Sequence, residues 1–222
     1  MSKLVIFDVD GTLVDSQAHI IASMTVAFDA AQIVVPSRDA ILSIVGLSLP
    51  YAIRELAPDA SDDTIVKMVE DYKTDFNANR MKPQSSFPLF DGAAEAIERL
   101  AARGDVHLAI ATGNSRRGLN GLLESWSVAH HFVSTQCADN HPSKAHPSMV
   151  QSCLADCNLK AQAAVVIGDT TYDMEMARAA RCAAIGVSWG YHGSAALKDT
   201  GARIVIDDFA ALDGALDEIW KD

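Results

Sequence analysis

Short apolar runs recur along this chain, and several of them stop at a glycine, a hydroxyl or a carboxylate. The first, Leu4-Val5-Ile6-Phe7, has no polar position inside it, the pattern of a parallel strand buried on both faces. From Gln17 to about Phe87 the texture turns helical and no strand pattern appears. Ser16 stands where it can cap a helix over 18–31, and Ser37 and Ser61 stand where further helices can begin. Pro36, Pro50, Pro58 and Pro83 punctuate the joins. From Phe90-Asp91-Gly92 onward, strand-like runs over 107–111, 131–134, 164–167, 183–187 and 203–206 alternate with helix-like stretches over 93–102, 116–126, 148–158, 174–180 and 210–219. Such alternation predicts βαβ units around a parallel sheet. The fold class is therefore α/β: a Rossmann-like core built from residues 1–15 and 88–222, interrupted after its first strand by an α-helical cap over 16–87.

Composition supports that picture and narrows the function. The chain has 222 residues, 49% of them hydrophobic, enough for a core of ordinary size plus a smaller subdomain. A formal net charge of -11 argues against nucleic acid, which calls for clustered Lys and Arg. No apolar run reaches the roughly 18 residues of a membrane span, and Asp8 and Asp10 break what would be the apolar part of a signal peptide. The expected location is the cytoplasm. Cys137, Cys153, Cys157 and Cys182 form no CxxC pair and read as reduced, buried thiols.

Four stations at strand ends carry the candidate chemistry. The first is Asp8-Val9-Asp10-Gly11-Thr12, directly after the first strand. Asp8 is placed to attack phosphorus and form an acyl phosphate, with Asp10 as the acid and base for the leaving oxygen and for water. Gly11 permits a tight turn, and the Gly11 and Thr12 N–H groups are candidate phosphate donors. The second station is Thr112-Gly113-Asn114, a hydroxyl and a glycine at the start of a helix, suited to an anion. The third is Lys144, in the loop before the helix at 148. The fourth is Gly168-Asp169 with Asp173 four residues beyond, after the strand at 164–167. Four carboxylates in one crevice repel a phosphate unless cations are present, so a magnesium ion and Lys144 are expected. Magnesium takes few protein ligands, and Asp8, Asp169 and the Asp10 carbonyl suffice; Asp173 then holds a metal-bound water or orients Lys144. Arg116 and Arg117 occupy the first turn of the helix after Asn114, where cations are unfavourable, so one of them, Arg117 in particular, is expected near a second anionic group of the substrate. Val45-Gly46-Leu47-Ser48-Leu49 is a candidate cap loop that closes over the site.

In this order the motifs resemble those of the haloacid dehalogenase superfamily, in its phosphatase branch with a helical cap after the first motif. Asp8 through Ser16 is similar to the first motif, Thr112 to the second, Lys144 to the third, and Gly168-Asp169 through Asp173 to the fourth. Within the superfamily the chain is similar to phosphoglycolate-phosphatase-type proteins, through Ala111-Thr112-Gly113-Asn114-Ser115-Arg116-Arg117-Gly118-Leu119 and Gly186-Val187-Ser188-Trp189-Gly190-Tyr191-His192. It departs from them at Asn114, where a lysine is frequent, and at Arg181-Cys182, where a glycine is usual. The resemblance implies a magnesium-dependent phosphatase acting on a small phosphorylated metabolite, phosphoglycolate-like, with no nucleic-acid or membrane partner. Two rivals share the residues: a sugar phosphomutase, which returns the phosphoryl group to its substrate, and a non-catalytic phospho-aspartate sensor. The sensor pattern puts its phosphorylated aspartate at the end of a later strand, where this chain has Thr112. The oligomeric state is not readable from the sequence.

Overall fold

The computed structural model describes residues 2–80 and 87–221; Pro83, read above as a join, lies outside them. Six parallel strands form the sheet: β1 (Lys3–Phe7), β2 (Val106–Thr112), β3 (Phe132–Cys137), β4 (Ala164–Gly168), β5 (Ala183–Val187) and β6 (Ile204–Ile206), in the order β3-β2-β1-β4-β5-β6. Alternation of side chains along β1 sends Val5 and Phe7 to one face and Leu4 and Ile6 to the other. The first face packs on α5 (Ala93–Ala101), α6 (Arg116–Leu123) and α10 (Leu212–Ile219). The second packs on α7 (Ser148–Asp156), α8 (Thr171–Ala179) and α9 (Ser194–Thr200). Because both faces are covered, the central strands need no polar positions.

Four helices, α1 (Gln17–Ala30), α2 (Arg38–Ser43), α3 (Leu49–Leu56) and α4 (Asp62–Arg80), fill the interval after β1 and share an apolar cluster of their own, with Met24, Phe28, Ile41, Ile53 and Met68 at its centre. The chain leaves and re-enters the sheet side by side: Val14 bridges Leu89, and the Phe90 N–H donates to the Leu13 carbonyl at 2.8 Å.

Several elements differ from their sequence reading for identifiable reasons. β3 runs to Cys137 rather than stopping at 134, because an edge strand accommodates the polar Thr135 and Gln136. α8 begins at Thr171, three residues earlier than expected, since Thr170 and Asp173 form a reciprocal capping box. α6 and α7 end at Leu123 and Asp156, before the expected 126 and 158. α10 starts at Leu212 after a separate helical turn over Phe209–Ala211, and α9 had no expected counterpart. Ser16 precedes α1 as expected, yet its hydroxyl makes no capping bond. At the departure noted above, Arg181 adopts φ +61 as the chain passes from α8 to β5. A glycine there would avoid the roughly 1–2 kcal/mol that a side chain costs in this conformation.

Candidate active site

The strand order reverses direction between β1 and β4, and the crevice beyond the carboxyl ends of strands at such a point is where α/β sheets bind ligands. Asp8 follows β1 directly and is anchored by its own N–H to the Ile167 carbonyl of β4 at 2.9 Å. Asp169 follows β4, and Thr112 ends β2 on the other side of β1. Three adjacent strands thus deliver three of the predicted residues to one place.

Asp8, Asp169 and Asp173 are buried and offer carboxylate oxygens within 4.8 Å of one another. Lys144, also buried, reaches into them from the loop before α7, with its Nζ at 2.7 Å from Asp8 Oδ1 and 2.7 Å from Asp173 Oδ1. The second oxygen of Asp173 accepts from the Thr170 N–H at 3.1 Å and the Thr170 hydroxyl at 2.7 Å. Asp173 thus contacts Lys144 with one oxygen and caps α8 with the other. Asp169 accepts from the Thr12 hydroxyl at 2.9 Å and the Tyr191 N–H at 2.9 Å. Asp8 Oδ2 is different: it is buried with no hydrogen-bond partner.

The electrostatics follow from that arrangement. Fully ionised, three carboxylates against one ammonium would carry two net negative charges out of contact with water. Burial pushes Asp8 well above the usual carboxylate range, with Asp173 and Asp169 adding to it and Lys144 opposing it. Burial, then Asp173, pushes Asp169 up to about 7. Lys144 behaves oppositely: burial pulls its pKa down, but Asp173 and Asp8 outweigh burial and keep it charged. A divalent cation would neutralise the remaining charge and give Asp8 Oδ2 a partner, so the donor set fits magnesium.

Asp10 projects beside this cluster toward the cap. Its carboxylate accepts from the Ser16 hydroxyl at 2.5 Å and from Asn114 Nδ2 at 2.6 Å. Burial raises its pKa against these two donors, which favours a carboxyl able to carry a proton. Two expectations are corrected here. The Gly11 and Thr12 N–H groups do not face a ligand: they donate to Val14 O at 2.9 Å and Val9 O at 3.2 Å, closing the turn on itself. Gly11 serves close approach instead, since at φ +81 a Cβ would lie 2.3 Å from Asp169 Oδ2. Asn114 likewise spends its side chain on Asp10 rather than on the anion loop, while its N–H donates to Thr112 Oγ1 at 3.2 Å.

Residues 5–187 match the family model described as haloacid dehalogenase-like hydrolase. The chain belongs to that family. A probable phosphatase, IndB, from Dickeya dadantii is 33% identical over 224 residues, covering 100% of this chain and 96% of that protein. A phosphoglycolate phosphatase from Agrobacterium fabrum is 30% identical, covering 98% and 94%. The structure of a predicted phosphatase from Clostridium acetobutylicum superimposes with a TM-score of 0.85 at 25% identity, covering 100% of both chains.

In this haloacid dehalogenase-like hydrolase the helical segment α1–α4 lies over Asp8 and Asp10. The loop read as a closing segment rests against the core: a Cβ on Gly113 would lie 2.5 Å from the Gly46 carbonyl, and the Ser48 N–H donates to Ser143 Oγ at 2.9 Å. Tyr172 and His192 both meet the Ser43 carbonyl of the cap, at 3.1 Å each. Between cap and core, above Asp8 and Asp10, is a cavity of about 340 Å³. Arg116 is not part of it; its guanidinium binds the hydroxyl and carbonyl of Thr135 in β3 at 2.9 and 2.7 Å. Arg117 is exposed on α6 and does not line the cavity either.

Sequence reasoning missed the residues that hold the acids in place. Ser16 read as a helix cap because it precedes a helix, and its proximity to Asp10 appears only once the chain turns back at Gly11. Tyr191 supplies an N–H to Asp169 and shares Ser16's hydroxyl, 3.2 Å from its own. No local pattern marks that role. Thr170 had a local signal, the spacing of a hydroxyl three residues before an acid.

Among the described residues no helix is long and apolar enough to cross a membrane. All four cysteines are free; Cys137, Cys153 and Cys182 are buried and Cys157 is half-buried.

Proposed function

We propose that this hydrolase is a magnesium-dependent phosphatase that cleaves a small phosphorylated metabolite through an aspartyl phosphate on Asp8. Membership of the family and the phosphatase-named relatives support the enzyme class. The observation that carries the mechanism is the unpartnered Asp8 Oδ2, buried in a cluster of three carboxylates with a single ammonium.

In the first half-reaction a carboxylate oxygen of Asp8 attacks phosphorus and the bond to the ester oxygen breaks, while Asp10 gives its proton to the departing alcohol. In the second, Asp10 takes a proton from water, water attacks phosphorus, and inorganic phosphate leaves Asp8. Lys144 fixes the Asp8 carboxylate and offsets phosphoryl charge; Ser16 and Asn114 hold Asp10 facing the cleft. Asp8, Asp169 and the Asp10 carbonyl would hold magnesium, which supplies charge neutralisation for the approach of a phosphate dianion. Thr112, whose hydroxyl oxygen accepts from the Asn114 N–H, retains its own proton for a phosphoryl oxygen.

The relatives' names make phosphoglycolate the first ester to test. A screen of phosphorylated metabolites with magnesium, with chelator and with calcium tests this reading. Release of phosphate with magnesium only supports it, and calcium should inhibit because it tolerates extra ligands and looser geometry. Full turnover in chelator would exclude the metal.

A further inference from the structure

The cavity above Asp8 and Asp10 is large for a two-carbon acid. Its volume of about 340 Å³ equals that of on the order of ten waters, and a phosphoryl group with two carbons fills only a fraction of it. The upper wall is largely apolar: Ile20 and Met24 of α1, Leu49 of α3 and Phe76 of α4, the last stacked on Tyr72 with ring centroids 5.6 Å apart, with Asn77 of α4 beside them. A second anionic group finds little there to receive it. Lys73 is the one Lys or Arg lining the cavity among the described residues, and it is exposed, so an ion pair with it is worth little. Arg116 is committed to Thr135. Asp139, on the same lining, is exposed and accepts from the Arg116 N–H at 2.7 Å, so it offers an anion no donor. A carboxylate placed against the apolar wall would lose its hydration without a partner.

Resting on the phosphatase reading, we propose that the substrate is a phosphate monoester whose leaving alcohol carries an uncharged, ring-sized apolar body lying against Ile20, Met24, Leu49 and Phe76, rather than phosphoglycolate. The uncharged body gains by leaving water, whereas a second carboxylate against the same wall loses its hydration without a charged partner.

The comparison uses 2-phenylethyl phosphate and phosphoglycolate, both esters of primary alcohols. In magnesium, kcat/KM for the phenylethyl ester should exceed that for phosphoglycolate by at least tenfold. Leu49→Lys, at the half-buried first position of α3, should shift the ratio toward phosphoglycolate by at least tenfold, and Leu49→Ala should raise KM for the phenylethyl ester alone. Binding of the matching phosphonates, 3-phenylpropylphosphonate and 3-phosphonopropionate, measured by calorimetry with magnesium, asks the same question without turnover. Tighter binding of the phenyl compound with no hydrolysis of any ester would overturn the phosphatase reading and still support the cavity's preference. Binding of 3-phosphonopropionate as tight as or tighter than that of the phenyl phosphonate, or a kcat/KM for phosphoglycolate equal to or above that for the phenylethyl ester, would overturn the preference.

Discussion

Replacing Lys144 by Met removes the ammonium from the buried carboxylates while keeping most of the side chain's volume. The unaltered cluster holds three carboxylates against one cation, and the variant holds three against none. Removing one member of a buried ion pair costs about 3–5 kcal/mol, a large part of the roughly 5–15 kcal/mol that holds a domain together. With a urea slope of about 2 kcal/mol/M, the unfolding midpoint of the metal-free variant should fall by roughly 2 M. The pH dependence has a definite sign. Asp169 titrates at about 7 in the folded chain against an ordinary value of 3.8, so its proton stabilises the fold fully at low pH, and that stability is lost as pH rises through about 7. Without Lys144, which lowers both, Asp8 and Asp169 hold their protons more tightly still, so the deficit should be greatest at pH 8 and shrink by pH 5. Magnesium needs deprotonated ligands and should raise the midpoint most at pH 8, by about 2.7 kcal/mol of stability at a hundredfold excess over its Kd. Urea titrations followed by tryptophan fluorescence in chelator and in magnesium, at both pH values, measure all of this. A variant as stable as the parent in chelator at pH 8, or a deficit that grows on acidification, would refute the assignment of Lys144 as the cluster's compensating charge.

Asp8→Asn should fold, because the amide removes a buried charge, and yet lose at least about 10³ in kcat; a substantial residual rate in steady-state assays would remove Asp8 as nucleophile. Asp10→Asn should leave magnesium binding by calorimetry within a few fold while slowing both half-reactions by roughly 10²–10⁴, since an amide cannot pass the proton. Gly113→Ala places a methyl group 2.5 Å from the Gly46 carbonyl and 2.9 Å from the Leu47 carbonyl of the cap loop. It should cost about 1–3 kcal/mol or hold the loop away, and so raise KM more than it lowers kcat.

The two acids that end β1 and β4 were legible because each follows an unbroken apolar run, and a buried parallel strand that stops at a carboxylate leaves few other readings. Lys144 was legible by charge: a crevice with this many acids requires a cation, and the loop before α7 supplied one. What the turn after Asp8 does was not legible. Whether the Gly11 and Thr12 amides face a ligand or their own chain depends on how tightly residues 9–14 close, and that closure is set by Val14 pairing with Leu89, seventy-five positions away. The same distance effect hid Ser16. Its position before a helix was visible, but its hydroxyl had two kinds of partner within reach, the N–H donors of a helix end and the half-buried Asp10 carboxylate, and it gives its proton to the carboxylate.

Arg116 shows why a substrate could not be read from the same motifs. Two cations at the start of a helix point to a nearby anion only if nothing else accepts their protons. The edge strand β3 supplies such an acceptor, the carbonyl and hydroxyl of Thr135, and a strand's exposed carbonyls have no signature in the sequence of the helix they meet. With that arginine committed, the proposed selection among phosphate esters rests on the wall formed by α1, α3 and α4. Its residues, Ile20, Met24, Leu49 and Phe76, come from three helices whose apolar positions look alike whether they face the cap's own core or the cleft. Only the packing of α1 against α4 and the seating of the loop at Gly46 on Gly113 separate the two, so the chemistry at phosphorus is written in local motifs while the choice of alcohol is written in tertiary contacts.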